Sequence, residues 1–279
     1  MKHLRQRLYI LRETAIKTGD LLLTLFRKKI NVCKKKMDGY VSKADMASSR
    51  LIHAAIHKAF PEDGYFCEEK GFDKESSNGF KWIVDPLDGT TNFIRGNRDF
   101  SISICLSLKD VPVIGLVYAP YLNEFYYAVD GNGAWAEYGF YKSRKRLKVS
   151  GTDKIKGSIL EFPGGIEIKH RAQKEMAMIG LFYPGIRLRV SESAALSLCK
   201  VAAGETDAYI HPTEKPHDFA AGALIVKEAG GVVKNFPDRP LNVNSRGIIT
   251  CNKKLYRRIS GMIKTASMES PEYWLENNK

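Results

Sequence analysis

The chain has 279 residues, 44% hydrophobic and 27% charged, with a formal net charge of +13. This is long enough for one large domain or two modest ones with their own cores, and the balance excludes a disordered or fibrous chain. The longest apolar stretches, Leu21 to Phe26 and Ala220 to Val226, are far short of the ~20 residues a membrane helix needs.

Leu4, Leu8, Leu11, Ala15, Leu22 and Leu25 recur at three- and four-residue steps and predict an amphipathic helix over residues 2–29. The leucines are spaced among Arg5, Arg7 and Arg12 instead of forming a secretory apolar core, so the expected location is the cytoplasm, with no membrane partner. A basic loop from Arg27 to Gly39 follows. Residues 1–60 hold 14 Lys and Arg against 4 Asp and Glu. Such an excess attracts anions, whether nucleic acid, lipid or a phosphorylated small molecule, or is simply a solvated face. Ile52, Ala55, Ile56 and Ala59 mark a second helix from Asp45 to Phe60, ended by Pro61.

The next region is β-rich. Phe80 to Asp85 is a short apolar run that stops at a turn. Phe100, Ile102, Ile104, Leu106 and Leu108 alternate with Ser101, Ser103, Cys105 and Ser107, which predicts a half-buried strand. Val113 to Tyr118 and Glu124 to Val129 continue the pattern, and Asn132-Gly133 is a hairpin signal. After Lys148, short apolar runs (158–162, 206–211, 231–235, 247–251) alternate with helical stretches (169–182, 193–203, 218–229, 253–265), an α/β rhythm. The expected organisation is an α+β half over 1–148 and an α/β half over 149–279, with a loose polar tail from Met268. The five cysteines are scattered without a CxxC pair, against both a disulfide framework and a zinc site.

The most informative segment is Asp85-Pro-Leu-Asp-Gly-Thr-Thr-Asn-Phe93. An apolar strand ends in Asp85 and a second acid, Asp88, follows three residues on. Pro86 fixes φ and Gly89 permits close backbone approach, so both carboxylates can converge at the strand's end. Hard oxygens without His or Cys suit Mg²⁺ or Mn²⁺. If a helical turn begins after Gly89, its N–H groups form a phosphate cradle. Taken alone, the same residues also make a plain Asp-Pro/Asp-Gly turn. Glu68-Glu69 reads equally as an acidic loop, and Asp218 equally as the N-cap of the helix that stops at Gly230-Gly231.

Together, in order, these pieces resemble the inositol monophosphatase family of metal-dependent, lithium-sensitive phosphatases, over nearly the whole chain. The resemblance implies the layered αβαβα sandwich shared with fructose-1,6-bisphosphatases, usually dimeric. It implies one Mg²⁺ held by Glu68, Asp85, the Leu87 carbonyl and the Thr90 hydroxyl, and a second held by Asp85, Asp88 and Asp218. Thr90, paired with Asp45, would polarise the attacking water. Gly89 and Thr90 N–H groups would hold the phosphate, and Glu69 would support the first metal. The sequence departs from the family pattern at the expected substrate positions. His217 stands for Trp, His211 for a hydroxyl-binding Glu, and Glu192 for Gly after Arg189. Gly39 stands where an acid would help a third Mg²⁺, with Asp38 beside it. The two histidines suit a second anionic group on the substrate, or merely pack at a helix start and a strand end. The implied function is hydrolysis of a small phosphorylated polyol or sugar. Alternatives are a fructose 1,6-bisphosphate or adenosine 3′,5′-bisphosphate phosphatase, or an RNA- or protein-binding member using the basic N-terminal segment. Against RNA, no aromatics interleave the cations from Arg27 to Lys36.

Overall fold

The computed structural model describes residues 2–28, 32–34, 40–139, 143–162, 185–236 and 239–268. The stretch 169–182, the loop acid Asp38 with Gly39, and the tail beyond Met268 lie outside the described residues.

Two sheets and three helical layers alternate. Helices α1 (Lys2–Leu25) and α2 (Lys43–Ala59) form the first layer. Beneath them lies a seven-stranded sheet in chain order: β3 (Gly64–Cys67), β4 (Phe80–Asp88), β5 (Ser101–Leu108), β6 (Val111–Ala119), β7 (Glu124–Val129), β8 (Ala134–Tyr138) and β9 (Ser143–Arg146). Only the β3–β4 pair in it is parallel. The middle layer is α4 (Ala194–Ala203) and α5 (Pro216–Glu228). A five-stranded sheet follows, ordered β11-β10-β12-β14-β13 (Arg187–Val190, Ile159–Phe162, Ala208–His211, Ile248–Cys251, Val232–Lys234). Helix α6 (Lys253–Met268) covers its far face through Leu255, Ile259 and Met262. A short hairpin, β1 (Val32–Lys34) with β2 (Tyr40–Ser42), precedes α2, and the one-and-a-half-turn α3 (Thr90–Arg95) follows β4.

Hydrophobic clusters fill the spaces between the layers. Leu11, Ile52, Trp82, Ile104 and Leu116 pack between the first helices and the seven-stranded sheet. Cys105, Val117, Leu198, Phe219, Leu224 and Tyr209 fill the space between the sheets. The approach there is close: a Cβ on Gly115 of β6 would lie 2.5 Å from the Ala221 carbonyl oxygen of α5, so only glycine fits.

Strand β5 differs from its sequence expectation. Its alternation predicts one solvated face, yet Ser101, Ser103 and Ser107 are as buried as Ile102 and Ile104. The reason is its place at the centre of the stack, with α1 and α2 on one side and α5 on the other. Serine is small enough to let α5 close in: Ser103 Oγ donates to the His217 carbonyl at 3.4 Å. Strand β4 also runs further than expected. It does not stop at Asp85. The ladder breaks at Pro86, which lacks an N–H, and Asp88 pairs again with Ser101 across an irregularity. Helix α1 ends at Leu25, not residue 29. The exposed edge strands β9 and β11 were not expected from periodicity.

Candidate active site

Three chain segments meet where β4 ends. Parallel pairing sets Cys67 opposite Val84, and the Glu68 N–H donates to the Val84 carbonyl at 3.1 Å, so Glu68 leaves β3 beside Asp85. Asp85 is 2% exposed and accepts from the Leu87 N–H at 3.0 Å. Its carboxyl titrates well above the usual range. Burial is the main cause, and the charges acting on it next are Glu68, Asp88 and Asp218, all acidic.

Asp88 is buried but well supplied with donors. Ser101 Oγ donates at 2.8 Å, the Ala194 N–H at 3.0 Å, and Ser193 Oγ makes a short third bond. Burial still pushes its carboxyl up to about 7, against the lowering effect of the two serines. Asp218 sits in the first turn of α5. Burial raises it too, opposed by His217, whose Nε2 is 3.5 Å away, and reinforced by the buried Glu214 hydrogen-bonded to it.

Behind this group lies the Thr90–Asp45 pair. Asp45 closes a capping box at the start of α2: its Oδ2 accepts from the Ser42 N–H and Oγ, both at 2.7 Å. Its other oxygen lies 2.9 Å from Thr90 Oγ1, which is also 3.0 Å from the Leu87 carbonyl. A hydroxyl has one proton, so it serves one acceptor at a time. Burial raises the Asp45 carboxyl, and the bonds from Ser42 and Thr90 oppose that. Gly89 precedes α3 at φ 85°, and a Cβ there would lie 2.9 Å from the Asp99 carbonyl oxygen. No side chain caps α3 at that position.

The other sequence candidates lie around this group. Glu69 is buried one residue past Glu68, its N–H against the Cys67 sulfur. Arg189 lies on the exposed β11, paired in register with Glu161 and 3.8 Å from its carboxylate. Glu192 is exposed at φ 57°, with its carbonyl facing Gly89. His211 ends β12: its Nδ1 accepts from the Thr213 N–H at 3.2 Å and its Nε2 is 3.6 Å from Glu214. Burial lowers that imidazole to about 4, so it is neutral at pH 7. His217 is buried with its ring 5.9 Å from Phe66, and neither ring nitrogen has a hydrogen-bond partner. It stands in the first turn of α5, next to Asp218.

The supporting residues were not singled out in the sequence. Ser101 reads as the solvated side of a strand, and Glu214 belongs to no motif in the sequence. Tyr209 donates a short hydrogen bond to Glu214 from the neighbouring strand. Ser42 did carry a signal, because Ser-x-x-Asp before an apolar run is a capping box.

Among the described residues, no three His, Cys, Asp or Glu side chains converge tightly enough to enclose an ion as they stand. The donor set nonetheless fits a hard divalent cation. It is all oxygen, it is buried, and the nearest strong charges on Asp85 are of its own sign.

The model of the inositol monophosphatase family matches residues 3–267. Among similar proteins is the Nus factor SuhB of Pasteurella multocida, 32% identical, the match covering 90% of this chain and 92% of that one. The fructose-1,6-bisphosphatase/inositol-1-monophosphatase of Aquifex aeolicus is 33% identical over 92% and 94%. The IMPase structure of Thermotoga maritima superposes with a TM-score of 0.83 at 30% identity, covering 95% and 99% of the two chains. The extragenic suppressor protein suhB of Bartonella henselae does so at 0.84 and 28%, covering 93% and 98%. The chain belongs to the inositol monophosphatase family.

Proposed function

We propose that this protein is a Mg²⁺-dependent phosphatase acting on a small phosphorylated polyol or sugar. The observation that carries the reading is the gathering of Glu68, Asp85, Asp88 and Asp218 at the end of β4, where the strongest charges on the buried Asp85 are other acids. Four such carboxylates are costly together unless cations neutralise them. Glu68, Asp85, the Leu87 carbonyl and Thr90 would hold one Mg²⁺; Asp85, Asp88 and Asp218 would hold a second. Glu69 supports the first. Bound there, Mg²⁺ supplies the positive charge a phosphate dianion needs and acidifies the attacking water. Asp45 holds the Thr90 hydroxyl so that it orients that water. The Gly89 and Thr90 N–H groups at the uncapped start of α3 hold phosphate oxygens. Mn²⁺ substitutes, Li⁺ at millimolar level inhibits, and the chain works as a dimer on the same reading.

A second reading within the family is a bisphosphatase. It is favoured by the His211 geometry. Both ring nitrogens are engaged, Nδ1 by Thr213 and Nε2 beside Glu214, so the ring offers no acceptor to a polyol hydroxyl. A site that lacks a hydroxyl partner discriminates weakly for the polyol. Phosphate release from inositol 1-phosphate, fructose 1,6-bisphosphate and adenosine 3′,5′-bisphosphate under one set of conditions separates the readings. A preference above about 100-fold for inositol 1-phosphate, roughly 2.7 kcal/mol, excludes the bisphosphatase. Full turnover in excess EDTA excludes both.

A further inference from the structure

The far edge of the seven-stranded sheet is built differently from its catalytic end. All four residues of β9 are exposed. From Arg144 to Lys148 the chain carries Arg144, Lys145, Arg146 and Lys148, and no acid lies between Glu137 and Asp153. Here, unlike from Arg27 to Lys36, cations and aromatics interleave across neighbouring strands. The register sets Trp135 of β8 opposite Tyr127 of β7 on one side and Arg146 of β9 on the other. Directly opposed residues share a face, so the three form one row across three strands. Arg144 sits diagonally over it, its guanidinium carbon 3.9 Å from the Trp135 ring centroid. Arg146 is 5.9 Å from the same centroid.

The row is held in place. Trp135 Nε1–H donates to the Asn132 carbonyl at 3.3 Å. Arg146 lies over the Gly133 backbone, where a Cβ would come within 3.3 Å of the guanidinium. Neighbouring acids have their own partners: Glu137 takes both Arg12 nitrogens at 2.8 and 2.5 Å, Asp130 takes Lys227 at 2.8 Å, and Glu228 accepts from the Gly131 and Gly133 N–H groups. Cations alone would serve to guard an edge strand against pairing. Guarding does not need a guanidinium held 3.9 Å over a half-buried indole. That arrangement suits nucleobases, which stack on aromatic rings and on arginine planes while cations meet the phosphates.

We infer that the β8–β9 edge is a binding surface for a single-stranded polynucleotide. Bases stack on the Arg144–Trp135 pair, and phosphates run along Arg144, Arg146 and Lys148. The edge lies five strands from β4, about 24 Å at ~4.8 Å per strand, so this function is separate from phosphate hydrolysis and does not rest on it.

The test is fluorescence anisotropy of a labelled unstructured 12-mer, oligo-uridine and oligo-thymidine in separate arms, titrated with the full chain from 50 to 200 mM salt. Wild type binds both oligonucleotides, with Trp135 emission quenched; the quench is lost in Trp135→Phe. The Arg144→Ala/Arg146→Ala variant binds at least tenfold more weakly, and its log–log salt slope is shallower by about 1.4, two single-strand phosphate contacts. Arg144→Lys/Arg146→Lys keeps the slope and loses part of the affinity, because the charge remains and the stacking plane does not. Melting temperatures of all variants report on folding. No binding at 50 mM salt, an unchanged slope in the alanine variant, or equal affinity for a 12-base-pair duplex overturns the inference.

Discussion

The two ends of β4 hold buried carboxylates under opposite conditions. Near its start, Trp82 Nε1–H donates to Asp63 at 2.8 Å, Asn78 donates to the other oxygen at 2.8 Å, and Arg7 reaches both. The Arg7 guanidinium lies between the Phe60 and Phe80 rings, at 4.2 and 4.3 Å from their centroids. The charge of Asp63 is answered within the protein, and the network ties α1 to the sheet. At the other end Asp85 has one backbone donor and acidic neighbours. One carboxylate is answered within the protein; the other is not, and under the proposed function a cation answers it. Burial alone distinguishes nothing here; what faces the buried charge does.

Substitution separates the two ends. Asp85→Asn removes a proposed bridging ligand and is expected to cut kcat/KM by at least about 10³-fold, with the metal-free fold no less stable because a repelled charge is gone. Phosphate-release kinetics beside a urea melt measures both; wild-type turnover would remove Asp85 from the chemistry. Asp63→Asn does the reverse. It leaves Arg7 buried without its counter-charge and is expected to cost about 3–5 kcal/mol of stability. Turnover per folded molecule should hold, as read by active-site titration below the melting range.

Smaller changes sharpen the picture inside the site. Thr90→Ala should lower kcat by about 10²-fold with little change in KM, since a water-orienting hydroxyl acts mainly in the transition state. A raised KM at constant kcat would make Thr90 a substrate contact instead. Ser193→Ala takes one donor from Asp88 and the N-cap from α4. It should destabilise by about 1–2 kcal/mol, seen as a lower urea midpoint at constant slope.

Much of this contrast was legible in the sequence, and the missing parts have physical causes. The 85–93 block, Glu68 and Asp218 are each ambiguous alone, as a turn, an acidic loop and an N-cap, and stood out only through their order along the chain, which is the family's. Asp63 and Arg7 did not. They are 56 residues apart, and a charge pair across two elements leaves no periodic trace. Ser101 was hidden by the alternation of β5, which predicts a wet face where the middle helices lie. Trp135 and Arg144 belong to different strands, so their stack is visible only once β8 and β9 pair.

The central claim is that the acidic end of β4 is completed by a divalent cation. Burial and acidic neighbours raise Asp85 and Asp218 well above their ordinary values, and burial raises Asp88 to about 7. The metal-free native state therefore keeps protons that the unfolded chain releases above about pH 4. Stability from these groups is complete below that pH and is lost as pH rises through 7. The decisive measurement is thermal melting of wild type and Asp85→Asn at pH 5.5 and 8.0, each in EDTA and in excess Mg²⁺. In EDTA, wild type should lose more stability between pH 5.5 and 8.0 than Asp85→Asn does. Mg²⁺ should restore wild type at pH 8.0, do little at pH 5.5, and leave the variant almost unmoved. Equal pH dependence in the two proteins, with no Mg²⁺ effect on wild type at pH 8.0, would contradict the account.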